Sequence, residues 1–323
     1  MQLQSETHKN TSSSASVVVP SYNHKEYVGW CLRSIIKQTM QPLHLLVIDD
    51  GSTDDSPRII ESVLKDCPFP CELIARENRG LSATLNQSLE LTSGDYFAYL
   101  SSDDVWLEEF LEARIALLRS RQAAVLAYGN AYLIDKQNKV VDCTGDWAHY
   151  KDGDVRSMLM RTTAPMSPTV LYKRESIERH GWYEGSRLED YELYLKLSLD
   201  GEFAFDPQVL SAWRVHETNT SWDQKMMLDE QLNALRRVAA ELGIGARQLE
   251  TLTKEINFNR VEDFLRLGDK KEATQLALRN LKGVSLGRLV RVLGRLALPY
   301  SAVSWWRQRR HRAATQQYGR LDV

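Results

Sequence analysis

The sequence predicts an α/β protein in which helices cover both faces of a mainly parallel sheet, followed by a helical C-terminal region. Over roughly the first hundred residues, short runs rich in β-branched residues alternate with segments of helical periodicity. This alternation is typical of parallel strands joined by crossover helices. Beyond about residue 222 only helical periodicity remains.

The alternating part contains four predicted strands and three predicted helices. Residues 16–20 (SVVVP) and 44–48 (HLLVI) are short apolar runs of the kind found in strands buried on both faces. The remaining strands are predicted at 71–75 and 96–100, and the helices at 26–38, 56–64 and 81–91.

The second half of the chain is less regular until its helical end. Short strands are predicted at 124–128, 140–143, 203–205 and 209–215, and a helix begins near Asp190. Further helices are predicted at 228–242, 249–267 and 271–281, with Gly243 and Gly268 as stop signals. We therefore divide the chain into a flexible N-terminus (1–14), an α/β domain (15–222) and a helical C-terminal region with a basic amphipathic tail (223–323).

The composition is that of a globular protein with an uneven charge distribution. The chain has 323 residues, of which 26% are charged and 43% hydrophobic, and this excludes disordered and collagen-like classes. The net charge is −2, yet residues 282–312 contain eight Lys/Arg and no Asp/Glu. Subtracting these eight positive charges from the net charge of −2 leaves the rest of the chain with a net charge of −10. An acidic body with a basic tail indicates two different kinds of partner.

The tail between residues 284 and 312 has the pattern of a membrane-surface helix. On a helical projection three arginines share one narrow arc, namely Arg288, Arg291 and Arg295. Four leucines share the broad opposite side, namely Leu286, Leu289, Leu293 and Leu296. Trp305 and Trp306 precede a further arginine cluster, and this combination suits an anionic membrane surface. The alternative is a helix packed on the α/β domain with a solvated charged end. Nucleic acid is not expected as a partner because the rest of the chain is acidic.

Targeting signals and cysteine usage favour a cytoplasmic protein. The polar N-terminal sixteen residues lack the apolar core of a signal peptide, and no apolar run approaches the ~18 residues that span a bilayer. The four cysteines have no zinc-ligand spacing. We expect reduced thiols and a cytoplasmic chain that is peripheral on the inner face of the cell membrane.

Polar clusters follow three of the predicted strands. They are Pro20-Ser21-Tyr22-Asn23, Asp49-Asp50-Gly51-Ser52 and Ser102-Asp103-Asp104. One such turn alone is adequately explained as a helix cap. Three of them at the carboxyl ends of parallel strands indicate a ligand site at that edge of the sheet.

The residue types in these clusters suit a nucleotide and a cation. Adjacent Asp103 and Asp104 are suited to a hard divalent cation that bridges a diphosphate, or else they form a solvated acidic turn that caps the next helix. Tyr22 offers a flat face for a base, and Asp50 can accept hydrogen bonds from a base or ribose.

Two later positions also carry candidate chemistry. Glu189-Asp190 opens a helix, where a carboxylate can be a base or only a favourable cap. His216 follows a strand and could reach a phosphate or a metal, although a lone histidine is more often structural.

Four blocks of sequence, in this order, resemble the family 2 glycosyltransferases. The opening block is SVVVPSYNHKEYVGWCLRSIIKQT with LLVIDDGSTDDSPRII, followed by ENRGLSATLNQSLELTSGDYFAYLSSDDVW. SPTVLYKRESIERHGWYEGSRLEDYELYLKL and WRVHETNTS complete the set. The resemblance covers roughly residues 14–222 and implies the Rossmann-like GT-A fold for that domain.

The resemblance also implies a role for each candidate residue. It makes Asp190 the catalytic base, and Arg214 and His216 the residues that close the site over the phosphates. Its implied metal ligands for Mg2+ or Mn2+ are Asp103, Asp104 and His216. Its implied nucleotide-sugar contacts are Pro20, Tyr22, Asp50, Asn78, Arg79, Gly80, Ser102 and Asp103. Ser101 stands where the family usually has the first Asp of its D-x-D metal motif, which makes metal dependence less secure.

The implied reaction is an inverting transfer from a nucleoside-diphosphate sugar, preferably a UDP-sugar. The acceptor would be a hydroxyl of a saccharide or lipid-linked molecule in cell-envelope polysaccharide synthesis. Two alternatives stay open: a polyprenyl-phosphate sugar transferase and a catalytically inactive binding scaffold of the same fold. A nucleotidyltransferase is disfavoured because PSYNHKEY, after the first strand, has no glycine for a phosphate loop.

Overall fold

The computed structural model describes residues 14–161, 163–217, 219, 222–281 and 284–323. Residues 1–13 of the expected flexible N-terminus therefore lie outside the described residues.

The first third of the chain alternates between strands and helices as the sequence predicts. The elements are β1 (Ala15–Ser21), α1 (Val28–Ile36), β2 (His44–Asp49), α2 (Ser56–Leu64), β3 (Cys71–Ala75), α3 (Leu81–Leu91), β4 (Tyr96–Tyr99), β5 (Val105–Trp106) and α4 (Phe110–Ser120). The bounds of α2, β3 and α3 coincide with the predicted ones.

The middle third completes the sheet. Its elements are β6 (Ala124–Ile134), β7 (Val140–Cys143), α5 (Arg156–Leu159), β8 (Leu171–Lys173), α6 (Arg174–Glu178), α7 (Glu189–Asp200) and β9 (Glu202–Arg214). The two strands predicted at 203–205 and 209–215 are one strand, β9, which continues through Pro207 with a shift in register opposite Gly129 and Asn130. The break in the apolar pattern thus marks an irregularity within a strand rather than a loop.

The sheet has the order β3-β2-β1-β4-β8-β6-β9-β5, and β7 pairs with β6. Strands β3, β2, β1 and β4 are parallel, as are β6 and β9. The antiparallel pairs, which involve β5, β7 and β8, are much shorter. The predicted mainly parallel sheet is confirmed, and the carboxyl ends of β2, β1 and β4 lie side by side at one edge.

Two apolar cores lie on the two faces of this sheet. Successive residues of β1 alternate between them, because Val18 packs in one core and Val17 and Val19 pack in the other. All three side chains are completely buried. This burial on both faces explains why β1 reads as a continuous apolar run.

The C-terminal region is helical, as predicted. It contains α8 (Gln224–Val238), α9 (Ala246–Leu267), α10 (Lys270–Arg279), α11 (Leu286–Ala297) and α12 (Tyr300–Tyr318). Helix α8 contributes Leu228, Leu232 and Leu235 to one of the two sheet cores. Helix α9 adds Ile256 to that core and also shares a second, small core with α10 and α11. Within the described ranges, no helix has both the length and the apolar character needed to cross a membrane.

The end of α12 returns to the sheet domain. The Thr315 hydroxyl donates to the Val140 carbonyl of β7 at 2.7 Å. The backbone N–H of Val140 donates to the Gly319 carbonyl at 3.0 Å, and that of Leu321 donates to the Asn138 carbonyl at 2.9 Å. The far end of the basic tail is therefore packed on the α/β domain, as one of the two sequence-based interpretations expected.

A buried ion pair ties helix α4 to strand β9. The side chain of Arg114 is fully buried, and its Nη1 lies 2.5 Å from Asp206 Oδ2. Its Nε donates to the Thr169 carbonyl at 3.1 Å. A buried charge that loses its partner is costly because it lacks both water and a counter-charge.

We predict that Arg114→Met lowers the free energy of unfolding by about 3–5 kcal/mol, since Asp206 would stay buried without its partner. Arg121→Gln is the matched control. Arg121 also pairs with acids, Asp152 and Glu202, but these side chains are largely solvent-accessible. That loss should stay below about 1 kcal/mol. Urea denaturation of both variants measures the difference, and equal losses would contradict the assignment.

Candidate active site

The loops that follow β1 and β2 are joined to each other at the sheet edge. Asn23, which has a positive φ of 54°, accepts a hydrogen bond from the Thr53 N–H through Oδ1 at 2.8 Å. Its own N–H donates to the Ser52 hydroxyl at 2.8 Å. The two loops therefore form one surface, on which Tyr22 is 48% exposed.

The adjacent carboxylates Asp49 and Asp50 have different tasks. Asp49 accepts hydrogen bonds from the N–H and hydroxyl of Ser52 and so stabilises its own turn. Asp50 instead accepts from the backbone N–H groups of Arg79 and Gly80 at 2.9 and 2.8 Å. Asp50 is thereby held against the 76–80 loop.

A glycine allows the close approach of these two loops. Gly51 has a φ of +84°, and a Cβ at this position would lie 2.9 Å from the backbone nitrogen of Asn78. A larger residue would force the loops apart. The predicted nucleotide contacts Asp50, Arg79 and Gly80 are thus brought together, with the exposed Asn78 beside them, while Pro20 is buried within β1. Their roles in binding stay predictions.

A group of three side chains suited to a metal lies at the end of β4. His24, Asp103 and His216 each direct one ligand atom into a space where these atoms are within 4.8 Å of one another. His216 Nε2 is 2.8 Å from Asp103 Oδ2, and His24 Nδ1 is 3.8 Å from Asp103 Oδ1. The predicted ligands Asp103 and His216, more than a hundred residues apart in sequence, meet here.

His24 is the member of this group that the sequence reasoning missed. It lies four residues after Pro20, in the loop that follows β1, and its Nδ1 is also 2.8 Å from the Ser102 hydroxyl. The signal available in the sequence was a histidine directly after the first polar cluster, on the same predicted edge as Asp103.

The charge state of Asp103 suits cation binding. Burial opposes its ionisation, but the hydrogen bond with His216 and the nearby imidazoles of His24 and His216 outweigh that effect and lower its pKa. An ionised carboxylate with two imidazole nitrogens is a donor set that binds divalent transition-metal ions. The residues present therefore fit a metal ion.

Asp104 and Arg214, the other residues expected at the metal and the phosphates, are held by contacts inside the fold. Asp104 lies outside the His24, Asp103 and His216 group, and its Oδ1 accepts a hydrogen bond from the backbone N–H of Arg214 at 2.8 Å. The Arg214 side chain is fully buried, with Nε donating to the Asp103 carbonyl at 2.7 Å. Their predicted roles at the metal and the phosphates stay predictions.

Asp190, the expected base, lies at the start of α7 in a nest of aromatic side chains. The Tyr99 hydroxyl donates to its Oδ2 at 2.5 Å. Tyr172 Oη and Trp182 Nε1 are each 3.4 Å from its Oδ1. Burial raises the pKa of Asp190 to about 6, although these donors partly offset that rise. A carboxylate with a pKa near neutrality is well matched to general-base chemistry.

Asp190 opens onto a cavity that the sequence did not predict. The cavity has a volume of about 290 Å³. Its wall combines the start of α7 and residues 164–167 with Trp213 of β9. Met227 and Gln231 of α8 and Arg260 of α9 complete it. An acid beside a concave, partly aromatic space is the arrangement expected where a substrate meets a base.

The family of the chain follows from this fold and from a direct comparison. The family model described as Glycosyl transferase family 2 matches residues 16–181, which is about half of the chain and includes the metal-suited Asp103. The chain belongs to glycosyl transferase family 2. The expected family is thus confirmed.

Two curated relatives are considerably longer proteins than this chain. The chain is 25% identical to chondroitin synthase of Escherichia coli over 240 residues, which is 74% of the chain and 34% of that protein. It is 31% identical to glycosyltransferase GlyA of Streptococcus pneumoniae over 227 residues, 66% of the chain and 32% of that protein. The chain thus spans about a third of the length of these two relatives.

Solved structures share the fold over nearly the whole chain. A mannosyltransferase from Pyrobaculum calidifontis, solved with GDP-Man and Mn2+, gives a TM-score of 0.60 at 18% identity and covers 95% of this chain and 87% of its own. TarS 1-349 of Staphylococcus aureus, solved with UDP-GlcNAc, also gives 0.60 at 18% identity, with 96% and 93% covered. The expected GT-A fold is confirmed.

Proposed function

We propose that this domain transfers a sugar from a nucleoside-diphosphate sugar to an acceptor hydroxyl with inversion at the anomeric carbon. One observation carries the proposal: the sheet edge joins a metal-suited group to a buried base. Tyr99, the last residue of β4, holds Asp190, and Asp103 follows four residues later. Asp190 and Asp103 are therefore positioned by the same strand end.

The donor site would be the edge formed by the loops after β1, β2 and β3. Exposed Tyr22 offers an aromatic face to a nucleobase, and the loop at Asn78, Arg79 and Gly80 borders the same edge. Two structural neighbours were solved with GDP-Man and UDP-GlcNAc, which supports a nucleotide sugar as donor. We propose a UDP-sugar.

A divalent cation would be held by Asp103, His216 and His24. Bound there, the cation would supply positive charge to the diphosphate as it leaves. Two imidazole nitrogens favour Mn2+ over Mg2+, because Mg2+ prefers an all-oxygen shell. His24 would thus compensate for Ser101, the residue that departs from the acidic metal motif.

Asp190 would act as the general base. Its ionised carboxylate takes the proton of the acceptor hydroxyl as that oxygen forms a bond to the anomeric carbon. The bond from this carbon to the diphosphate oxygen breaks, and the diphosphate leaves with the electron pair. Displacement from the opposite side inverts the configuration of the sugar.

The acceptor would enter through the cavity beside Asp190. A saccharide suits the aromatic wall formed by Tyr191, Tyr194 and Trp213, and a lipid-linked saccharide could present its sugar in the same way. The similarity to chondroitin synthase of Escherichia coli supports a role in polysaccharide synthesis. We propose cell-envelope polysaccharide as the product class.

We predict that Asp190→Asn lowers kcat by at least about 10²-fold while nucleotide-sugar binding is retained, because the amide cannot accept a proton. Asp200→Asn, at the other end of α7, is the control and should leave kcat unchanged. Release of nucleoside diphosphate and calorimetric binding of the donor measure the two effects. Retained activity with a loss of only about 1 kcal/mol of stability would instead show a helix cap. Retained activity would also be expected if the acceptor were a phosphate, because transfer to a phosphate needs no general base.

The rate should depend on the ionisation of Asp190. Below a pH of about 6 the carboxyl becomes protonated and cannot act as a base, so kcat should fall in acid. Tyr99→Phe removes the shortest hydrogen bond to the Asp190 carboxylate and so raises the pKa of Asp190. The fall of kcat in acid should then begin up to about one pH unit higher. Tyr172→Phe removes a longer contact and should move it less. Identical pH profiles for all three proteins would contradict the base assignment.

The cation assignment predicts a difference between neighbouring carboxylates. Asp103→Asn should weaken Mn2+ binding at least about tenfold, because a neutral amide is a poorer ligand than a carboxylate. Asp104→Asn retains an oxygen acceptor for the Arg214 N–H and should bind Mn2+ nearly normally. Electron paramagnetic resonance of titrated Mn2+ distinguishes them without any activity assay. Equal weakening by both substitutions would return Asp104 to the ligand set.

A further inference from the structure

Helix α11 presents an apolar face to solvent. Leu286, Val290 and Leu293 are 76%, 60% and 56% exposed, and their spacing places them on one side of the helix. The only side chain of α11 that is buried in the described part of the chain is Val292. Large apolar residues in a row on one helix face mark an interaction surface more often than isolated ones do.

The arginines of α11 contact α9, whereas Leu286 and Leu293 face outward. Arg295 forms an ion pair with Glu262 of α9 at 2.6 Å. Arg288 donates a hydrogen bond to Asn259, and its guanidinium lies 5.0 Å from the Phe258 ring centroid. The arginine side of this amphipathic helix therefore packs on α9. Leu296 also packs against the core that α9, α10 and α11 share, so only part of the apolar side is left uncovered. The sequence alone does not show that the arginine side of α11 contacts α9.

A second group of exposed apolar side chains lies at the start of α12, which is separated from α11 by two residues. Tyr300, Trp305 and Trp306 are 45%, 54% and 65% exposed. The Arg309 guanidinium lies 5.6 Å from the Trp305 ring centroid. Tryptophan and arginine side by side are typical of the polar–apolar boundary of a bilayer.

The charges around this surface are positive. Arg291, Arg309 and Arg312 are exposed, and residues 284–312 contain no Asp or Glu. The acids that approach from other elements, Glu262 and Asp142, are paired with Arg295 and Arg310. A partner that covers the surface should therefore offer both negative charge and an apolar layer.

We propose that α11 and the first half of α12 form a docking surface for an anionic membrane, with α11 lying in the plane of the headgroups. A lipid surface offers both the negative charge and the apolar layer that this helix pair requires. With twelve residues, α11 is about 18 Å long, which suits a helix lying on the surface. A second copy of the chain would instead bring a second basic segment against the first.

The surface is held in a fixed position relative to the catalytic domain. The end of α12 is bound to β7 through Thr315 and Gly319, and Arg310 pairs with Asp142 at 2.8 Å. Membrane binding would therefore orient the domain as well as concentrate it. This proposal stands independently of the reaction, because the surface contains none of the proposed catalytic residues.

The test is flotation of the full chain with vesicles of phosphatidylcholine containing one quarter phosphatidylglycerol, against vesicles of phosphatidylcholine alone. We expect binding to the anionic vesicles that decreases with salt. The double substitution Leu286→Glu with Leu293→Glu should weaken partitioning at least about tenfold. Leu91→Glu with Leu199→Glu, at exposed leucines of α3 and α7, should leave it unchanged. Circular dichroism and melting confirm that each variant is folded.

A second pair of variants tests the charge. Arg309→Gln with Arg312→Gln should lower anionic binding about fivefold or more for each charge near the surface, whereas Arg58→Gln on α2 should not. The proposal would be overturned if the unaltered chain did not bind anionic vesicles. It would also be overturned if the Leu286→Glu with Leu293→Glu variant bound them as strongly as the unaltered chain. Self-association that the α11 substitutions abolish, without vesicle binding, would assign the surface to a second copy and also overturn it.

Discussion

The buried guanidinium of Arg214 is the interaction on which the candidate site depends. It lies at the end of β9 and donates to the carbonyl groups of Asp103 and Asp135 at 2.7 and 2.8 Å. It also lies 4.9 and 5.1 Å from the ring centroids of Tyr27 and Trp30. A single cation thereby joins the loop after β4, the end of β6 and the first helix. Burial lowers the pKa of Arg214, an effect that the charges of Asp104 and Asp103 counteract.

The contacts of Arg214 determine which way the adjacent carboxylates of Asp103 and Asp104 point. Asp104 is drawn inward to the Arg214 N–H, and Asp103 is left to face His24 and His216. Burial and the charge of Asp103 raise the pKa of Asp104, whereas the pKa of Asp103 is lowered. Neighbours in sequence thus differ in chemistry because the fold gives them different partners. At the same strand end Tyr99 holds Asp190, so β4 links the metal-suited group to the proposed base.

Local periodicity was sufficient to predict much of this fold, because buried parallel strands and amphipathic helices leave strong signals. It failed at β9, where Pro207 and a register shift interrupt a strand that its neighbour β6 continues to stabilise. The family resemblance pointed to Asp103, Asp190 and His216, which the structure places in the candidate site. It could not reveal that Arg214 is buried or that Asp104 faces it, since both depend on contacts over a hundred residues apart. His24 and the wall of the cavity from α8 and α9 were also missed, because both depend on contacts between residues that are distant in sequence.

The central claim is that His24, Asp103 and His216 hold a cation against a nucleoside diphosphate at the sheet edge. It is tested most directly by anomalous diffraction at the manganese edge from crystals grown with Mn2+ and UDP. We expect one strong peak, from an ion coordinated by Asp103 and by both imidazole nitrogens, with the uracil ring against Tyr22. A peak coordinated by Asp104 without either histidine, or UDP bound away from this edge, would contradict it.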